Sequence, residues 1–422
     1  MKMLSTLLKI HYLKVIPVII SMMVSSLIHA ETISMWVRDG GAANAGKVLV
    51  NLWNQQHPDT SIDLTVIPNA QMVTKLATSV IAGDAPDIVA LDVVYMPDFM
   101  RGKLLTDITD QVAANPNFDH VIDAYKNIAS YKDRIYGTGF APDVSVLGWN
   151  KTLFRRAGLD PEKPPRTIYE IHEMAKKISA LDDQTYGFYF SGACPACNIF
   201  VTSPMMVAGG AKMLPRNGQD TALQGKAVKE VLSVYHDMWK EGLIPESAIT
   251  DNGANFVSGF TSGNVGIAAT GGFVIPLVAS DYPDLDYGVT LLPGLKEGQV
   301  SSFVGGDAVA IPRGSKHEKQ ARAFLDWVVD DEAQLEGLAK NGILPIRSDL
   351  VASNKYFANK PKVQTTAEAL KVGYVPWVFH FADMVNSDSS PWINMLQRAV
   401  FDGEIDKAIA EARKEMIDIA SE

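Results

Sequence analysis

The stretch DIVALD, residues 87–92, decides how the rest of the chain is read. Between its two aspartates run Ile88, Val89, Ala90 and Leu91 without a polar break, the mark of a strand covered on both faces, as strands of parallel sheets are. Upstream, Val73, Leu76, Ala77 and Val80 recur at helical spacing and stop at Gly83. Before them, HPDTSIDLTVI carries a second apolar run, Ile62 to Ile67, bounded by His57-Pro58-Asp59 and by Pro68. Further back, Val48, Leu49, Leu52 and Trp53 lie at helical spacing, and TISMWV, residues 32–37, is rich in strand formers. Three strands separated by helices make parallel βαβ units with helices on both sheet faces. Ligands of open α/β sheets sit beyond the carboxyl ends of the strands. Arg38 and Asp39, Asn69 and Gln71, and Asp92 to Tyr95 are therefore the first places to look for a site.

Downstream the alternation continues. TYGFYFSG (185–192) and VGIAAT (265–270) read as strands, and NIFVTSPMMVAGG reads as helix. Val228, Val231, Leu232 and Tyr235 share one helical face, as do Ala321, Phe324, Leu325 and Val328, for which Ser315 is available as a cap. The tail from Trp392 to Glu422 is helical, with charges spaced as on a solvated face. A chain of 422 residues, 47% hydrophobic, can bury a large core and divide into two lobes. The formal net charge of -10 argues against a nucleic-acid partner, which wants a basic face.

The amino end has its own pattern. Lys2, Lys9 and Lys14 precede the apolar run from Val15 to Ile28, and Ala30 is a small residue at a cleavage position. The run is too short to span a bilayer, which takes about 20 residues. Residues 1–30 therefore read as a signal peptide, and the mature chain as a periplasmic protein. Cys194 and Cys197, in SGACPACNIF, are the only cysteines. In an oxidising compartment they suit a local disulfide, a thiol-disulfide active site, or half of a metal site.

From Tyr131 to Ser179 the sequence resembles the bacterial extracellular solute-binding proteins of family 1, the maltose-binding-protein-like group. IYGTGFAP, GWNKTLF and AGLDPEKPPRTIYEI stand for the family's successive elements in that region. The likeness extends both ways through GDAPDIVALD, RGKLLTDIT, FTSGNVGIAATGGF, GVTLLPG, GGDAVAIPRGSKHEKQARAFLDWVVDDEAQ and NGILPIRSDL, in the family's order. Departures are Gly148 and Trp149, for an apolar residue and Tyr, and Ile168 and Phe273, each for Trp.

The resemblance implies an α/β protein of the two-lobe periplasmic-binding type II fold, with a ligand cleft between lobes joined by hinge strands. It places residues 31–142 with 292–336 in one lobe and 143–291 with 337–422 in the other. Crossings fall near Ala141–Ser145, near Gly288–Pro293 and around the helix before Gly342. It implies a monomer without catalysis, metal or cofactor, which hands a sugar to ABC transporter permease subunits in the inner membrane. Alternatives are a polyol phosphate or a polyamine on the same fold, or thiol-disulfide chemistry at Cys194 and Cys197. The solute-binding pattern runs straight through the cysteine segment and favours the disulfide staple.

A sugar needs carboxylates and amides for its hydroxyls and aromatic planes for its C–H faces. Asp143 is the leading polar candidate, because it lies in the crossing segment where the resembling proteins have an acidic contact. Asp92 follows a strand end, with a helix cap as the alternative role. Asp307 and Gly306, in FVGGDAV, lie where the family brings backbone close to ligand. Arg38 is the one basic residue near the first strand end. For stacking, Trp36, Phe273, Trp377 and Trp392 are candidates, whereas Trp53 and Trp327 read as core.

Overall fold

The computed structural model describes residues 31–215, 221–351 and 354–422; the expected signal peptide lies outside the described residues. The chain opens with the three βαβ strands the apolar runs anticipate: β1 (Glu31–Arg38), α1 (Gly41–Gln56), β2 (Thr60–Ile67), α2 (Asn69–Ala82) and β3 (Ile88–Asp92). β1 lies between β2 and β3, parallel to both. In β1 the alternation buries Ile33, Met35 and Val37 and turns Ser34, Trp36 and Arg38 to the other face. α1 comes close to β1 because Gly46 has no side chain. A Cβ there would stand 3.2 Å from Val37 Cγ1.

β4 (Gly137–Asn150) is long enough to serve two sets of partners. Its first half, Gly137–Val144, pairs antiparallel with β8 (Val304–Ala310), which in turn pairs antiparallel with β3. Its second half, Ser145–Asn150, pairs with β6 (Val265–Gly271) and β7 (Tyr287–Thr290), and β6 carries β5 (Tyr186–Tyr189) in parallel. The strand order is β2-β1-β3-β8-β4-β6-β5, with β7 beside β4. One strand thus runs from the first three-strand group into the second.

Where β8 meets β4, the register slips between Asp307 and Ala308. Gly306 takes φ +88° there, and a Cβ on it would sit 1.9 Å from the Ala141 carbonyl oxygen. This bulge requires glycine, for the left-handed backbone and for the close approach.

Helices α3 (Ile168–Ser179), α4 (Pro195–Val201), α5 (Ser203–Ala208) and α6 (Lys226–Lys240) belong to the second group, with α9 (Pro391–Phe401) and α10 (Ile405–Ala420) against α6. α7 (Glu318–Val328) belongs to the first, while α8 (Pro361–Val372) lies on β4 and β7. The turn of helix at Ala333–Leu338 rests on α1, and a Cβ at Gly337 would be 2.7 Å from Leu49 Cδ2. Gln334 Oε1 accepts from Ile346 N–H, and Arg347 Nη1 donates to the Val329 carbonyl. Residues 333–347 accordingly pack with the first group.

Ser315 does not cap α7 as anticipated. The helix begins at Glu318; Ser315 Oγ accepts from His317 N–H and donates to Asp87 Oδ1.

Candidate ligand-binding site

Strand pairing alone gathers the charged candidates. Arg38 ends β1, Asp92 ends β3, and Asp307 on β8 is the cross-strand partner of both Asp92 and Ala141. Asp143 lies two residues further along β4, opposite Gly305. Arg38 donates through Nε and Nη2 to the two oxygens of Asp307, at 2.7 and 3.0 Å. This bidentate pair suits a planar guanidinium. Arg38 Nη2 also lies 3.6 Å from Asp92 Oδ2. Asp92 Oδ1 accepts from Val94 N–H to cap a 3-10 turn, and the residue also lines the cavity. Asp143 and Asp307 are strand residues, not the turn residues that the neighbouring Pro142 and Gly305-Gly306 also allow.

Burial controls the protonation of these groups. It pushes the Asp143 carboxyl up to about 7, against the backbone N–H groups of Val144, Phe273 and Gly272 and the positive charge of Arg38. Asp307 is 1% exposed, and burial with the Asp92 charge lifts it to about 6 although Arg38 pulls it down. Burial alone would depress Arg38; the Asp307 and Asp92 carboxylates outweigh it and raise it above its ordinary value.

A cavity of about 230 Å³ opens onto this cluster. Arg38, Asp92, Asp143 and Gly306 form its polar floor, and Asp307 sits behind Arg38. Five phenylalanines form its walls: Phe200, Phe256, Phe273, Phe303 and Phe381. Phe256 and Phe273 have ring centroids 6.3 Å apart, and Phe273 is 41% exposed, high for a phenylalanine. Asn386 completes the lining, its Nδ2 donating to Tyr95 Oη at 2.8 Å. Two larger hollows, one around Leu159–Lys177 and one between Asp119 and Gly373, contain none of the strand-end residues.

The tryptophans go elsewhere. Lys75 Nζ lies 4.7 Å from the ring centroid of Trp36, away from the cavity lining. Trp377 stacks on Tyr131 and donates to the Ser130 carbonyl, also outside it. Trp392 is fully buried and donates to the Pro195 carbonyl, and Trp149 is 5% exposed and donates to that of Pro161. Trp53 and Trp327 are core, as read. The walls the sequence reading missed, Phe200, Phe256, Phe303 and Phe381, come from four separate segments with no shared spacing.

Residues 40–335 match the family described as bacterial extracellular solute-binding protein. The chain belongs to that family. Among this solute-binding protein's relatives is the arabinooligosaccharide-binding protein of Bacillus subtilis, 23% identical over 334 residues, 76% of this chain and 75% of that one. The sn-glycerol-3-phosphate-binding periplasmic protein of Shigella flexneri is 23% identical over 357 residues, 80% of each chain. Its fold is shared by an ABC transporter solute-binding protein from Thermotoga lettingae, solved with alpha-D-tagatose bound. The TM-score is 0.79 at 21% identity, covering 92% of this chain and 100% of that one. The two-lobe type II fold is therefore the fold of this chain. No helix among the described residues is long and apolar enough to cross a membrane, and no group of three or more His, Cys, Asp or Glu among them could hold a metal.

In the solute-binding protein Cys194 and Cys197 form a close pair, with Cα atoms 5.3 Å apart. Cys194 Sγ accepts from Cys197 N–H at the start of α4, and Asn198 Nδ2 donates to the Ser191 and Cys194 carbonyls. Cys197 and Ala196 both touch the cavity. Gly253, at φ +105°, leaves room for the pair, since a Cβ there would be 3.0 and 3.1 Å from the two sulfurs.

Proposed function

We propose that this protein captures a carbohydrate in the cavity between its two strand groups, closes on it by a hinge at β4, and presents it to an ABC transporter permease. The observation that carries this reading is the meeting of Asp92 and Asp143 with a phenylalanine wall at the strand ends. Carboxylates accept from sugar hydroxyls, and ring faces take the C–H faces. In this reading the described lobes divide near residues 143 and 291, and residues 333–347 belong to the first lobe. The protein works as a periplasmic monomer without catalysis or cofactor, and an oxidised Cys194–Cys197 pair holds the α4 end of the cavity. A bound anion would want an unpaired cation, whereas Arg38, the one cation in the lining, already serves Asp307.

The test is a thermal-shift panel on the chain from residue 31 with maltose, D-tagatose, D-mannitol, sn-glycerol 3-phosphate and spermidine. A ligand at 100 times its Kd stabilises by about 2.7 kcal/mol. A shift with a sugar or polyol, lost in Asp143→Ala with the fold intact, is the expected result. Stabilisation only by the phosphate or only by spermidine would overturn the carbohydrate assignment.

A further inference from the structure

In the cavity floor and just behind it, three carboxylates meet one guanidinium. Asp307 takes Nε and Nη2 of Arg38, and Asp92 lies 3.6 Å from Nη2. Asp143 is held by the backbone N–H groups of Val144, Gly272 and Phe273. With all four groups ionised, three carboxylates and one guanidinium leave two uncompensated negative charges beside the aromatic walls. A neutral hydroxyl donates to a carboxylate but leaves that charge standing. A protonated amine brings three donors, no acceptor and the missing charge, and aromatic faces attract cations.

Building on the carbohydrate reading above, we infer that the ligand is an aminated sugar or amino-polyol, whose ammonium group is taken by Asp143 and Asp92 and whose C–H faces lie on Phe273 and its neighbours. Burial lifts the Asp143 pKa to about 7 in spite of Arg38, and an ammonium beside it would draw that value down. The other charged groups facing it are Arg38, Asp92 and Asp307, from three different strands. An ammonium of ordinary pKa, near that of lysine at about 10.4, stays protonated from pH 5.5 to 8. Its binding therefore strengthens with pH as Asp143 ionises, whereas that of a neutral polyol does not.

The experiment is calorimetric titration at low salt with two matched pairs, D-glucosamine against D-glucose and 1-amino-1-deoxy-D-glucitol against D-glucitol, with spermidine as a ringless amine. In the native protein the aminated member of a pair binds about tenfold tighter or better, equivalent to about 1.4 kcal/mol. Asp143→Asn and Asp92→Asn each shrink that preference while the neutral member changes less, and melting curves confirm that both variants fold. Lowering the pH to 5.5 also shrinks the preference for the amino-polyol over its neutral partner. Equal or tighter binding of the neutral members overturns this inference and leaves the carbohydrate reading intact. A preference that survives in both variants overturns it as well. Spermidine binding without any sugar or polyol overturns both. Silence of both pairs overturns the inference, and maltose and D-tagatose then decide the carbohydrate reading separately.

Discussion

The two ends of β3 treat buried aspartates in opposite ways. At the amino end, Asp87 accepts from Ser34 N–H and Oγ at 2.9 and 3.0 Å, from Ser315 Oγ at 2.9 Å, and lies 3.0 Å from His317 Nδ1. Burial alone would raise its pKa, but these donors outweigh it and hold the carboxyl below its usual range. At the carboxyl end, burial wins at Asp143 and Asp307 in spite of Arg38. A carboxylate that serves the fold is supplied with donors by the fold. At Asp143 and Asp307 the donors present, backbone N–H groups and Arg38, do not offset burial, a condition that clusters at functional sites.

The sharpest way to break this contrast is at the Arg38–Asp307 pair. Asp307→Asn leaves Arg38 without its charged bidentate partner, and urea unfolding should show a loss of about 3–5 kcal/mol. A smaller loss would mean that Asp92 takes over. Gly306→Ala attacks the same floor through the backbone. The clash with Ala141 and the left-handed φ should cost about 3 kcal/mol and displace Asp307 and Asp143 together, so that ligand binding falls with stability.

Asp87→Asn tests the structural end of the strand and should cost about 1–3 kcal/mol with the cavity's ligand affinity unchanged. The two ends also diverge with pH. Asp87, with its folded pKa depressed, contributes stability above its unfolded pKa of about 3.9 that is lost as the pH falls through its folded value. Asp143 and Asp307, with folded values raised to about 7 and about 6, contribute stability present below about 3.9 and lost as the pH rises through those values. Melting temperatures between pH 5 and 8 should therefore decline less steeply in Asp143→Asn than in the native chain. Replacing both cysteines by serine closes the series at about 2 kcal/mol or less, the expectation for so short a loop. At pH 8, Asp143→Asn should cost no stability at all while ligand affinity collapses, the clearest sign of a residue kept for binding.

The strands were legible because β1, β2, β3, β5 and β6 are short apolar runs between turn residues, and runs of that kind have few other solutions. Arg38 and Asp92 followed from the strand-end rule alone. Asp143, Asp307, Gly306 and Phe273 needed the family resemblance, since nothing local distinguishes them from turn or core residues. The phenylalanine walls were not legible. Phe200, Phe256, Phe303 and Phe381 become neighbours only through tertiary packing, and an aromatic on its own reads as core. Tryptophans drew attention by size, yet Trp149 and Trp392 found carbonyl partners for their indole N–H groups in the interior. Ser315 failed as a cap because the helix starts three residues later, at Glu318, and its hydroxyl bridges Asp87 and His317 N–H instead.

The position of β8 has a consequence for the order in which the molecule is assembled. This strand, residues 304–310, is inserted between β3 and β4, both of which leave the ribosome well over a hundred residues earlier. Pairings across such sequence distances are slow to form, because a long loop must close before they are rewarded. Until β8 arrives, Arg38 has no bidentate partner, the bulge at Gly306 does not exist, and β3 and β4 are not yet joined through the sheet. The cavity is thus among the last parts of the chain to take shape, and a nascent chain shorter than about 310 residues lacks part of its floor.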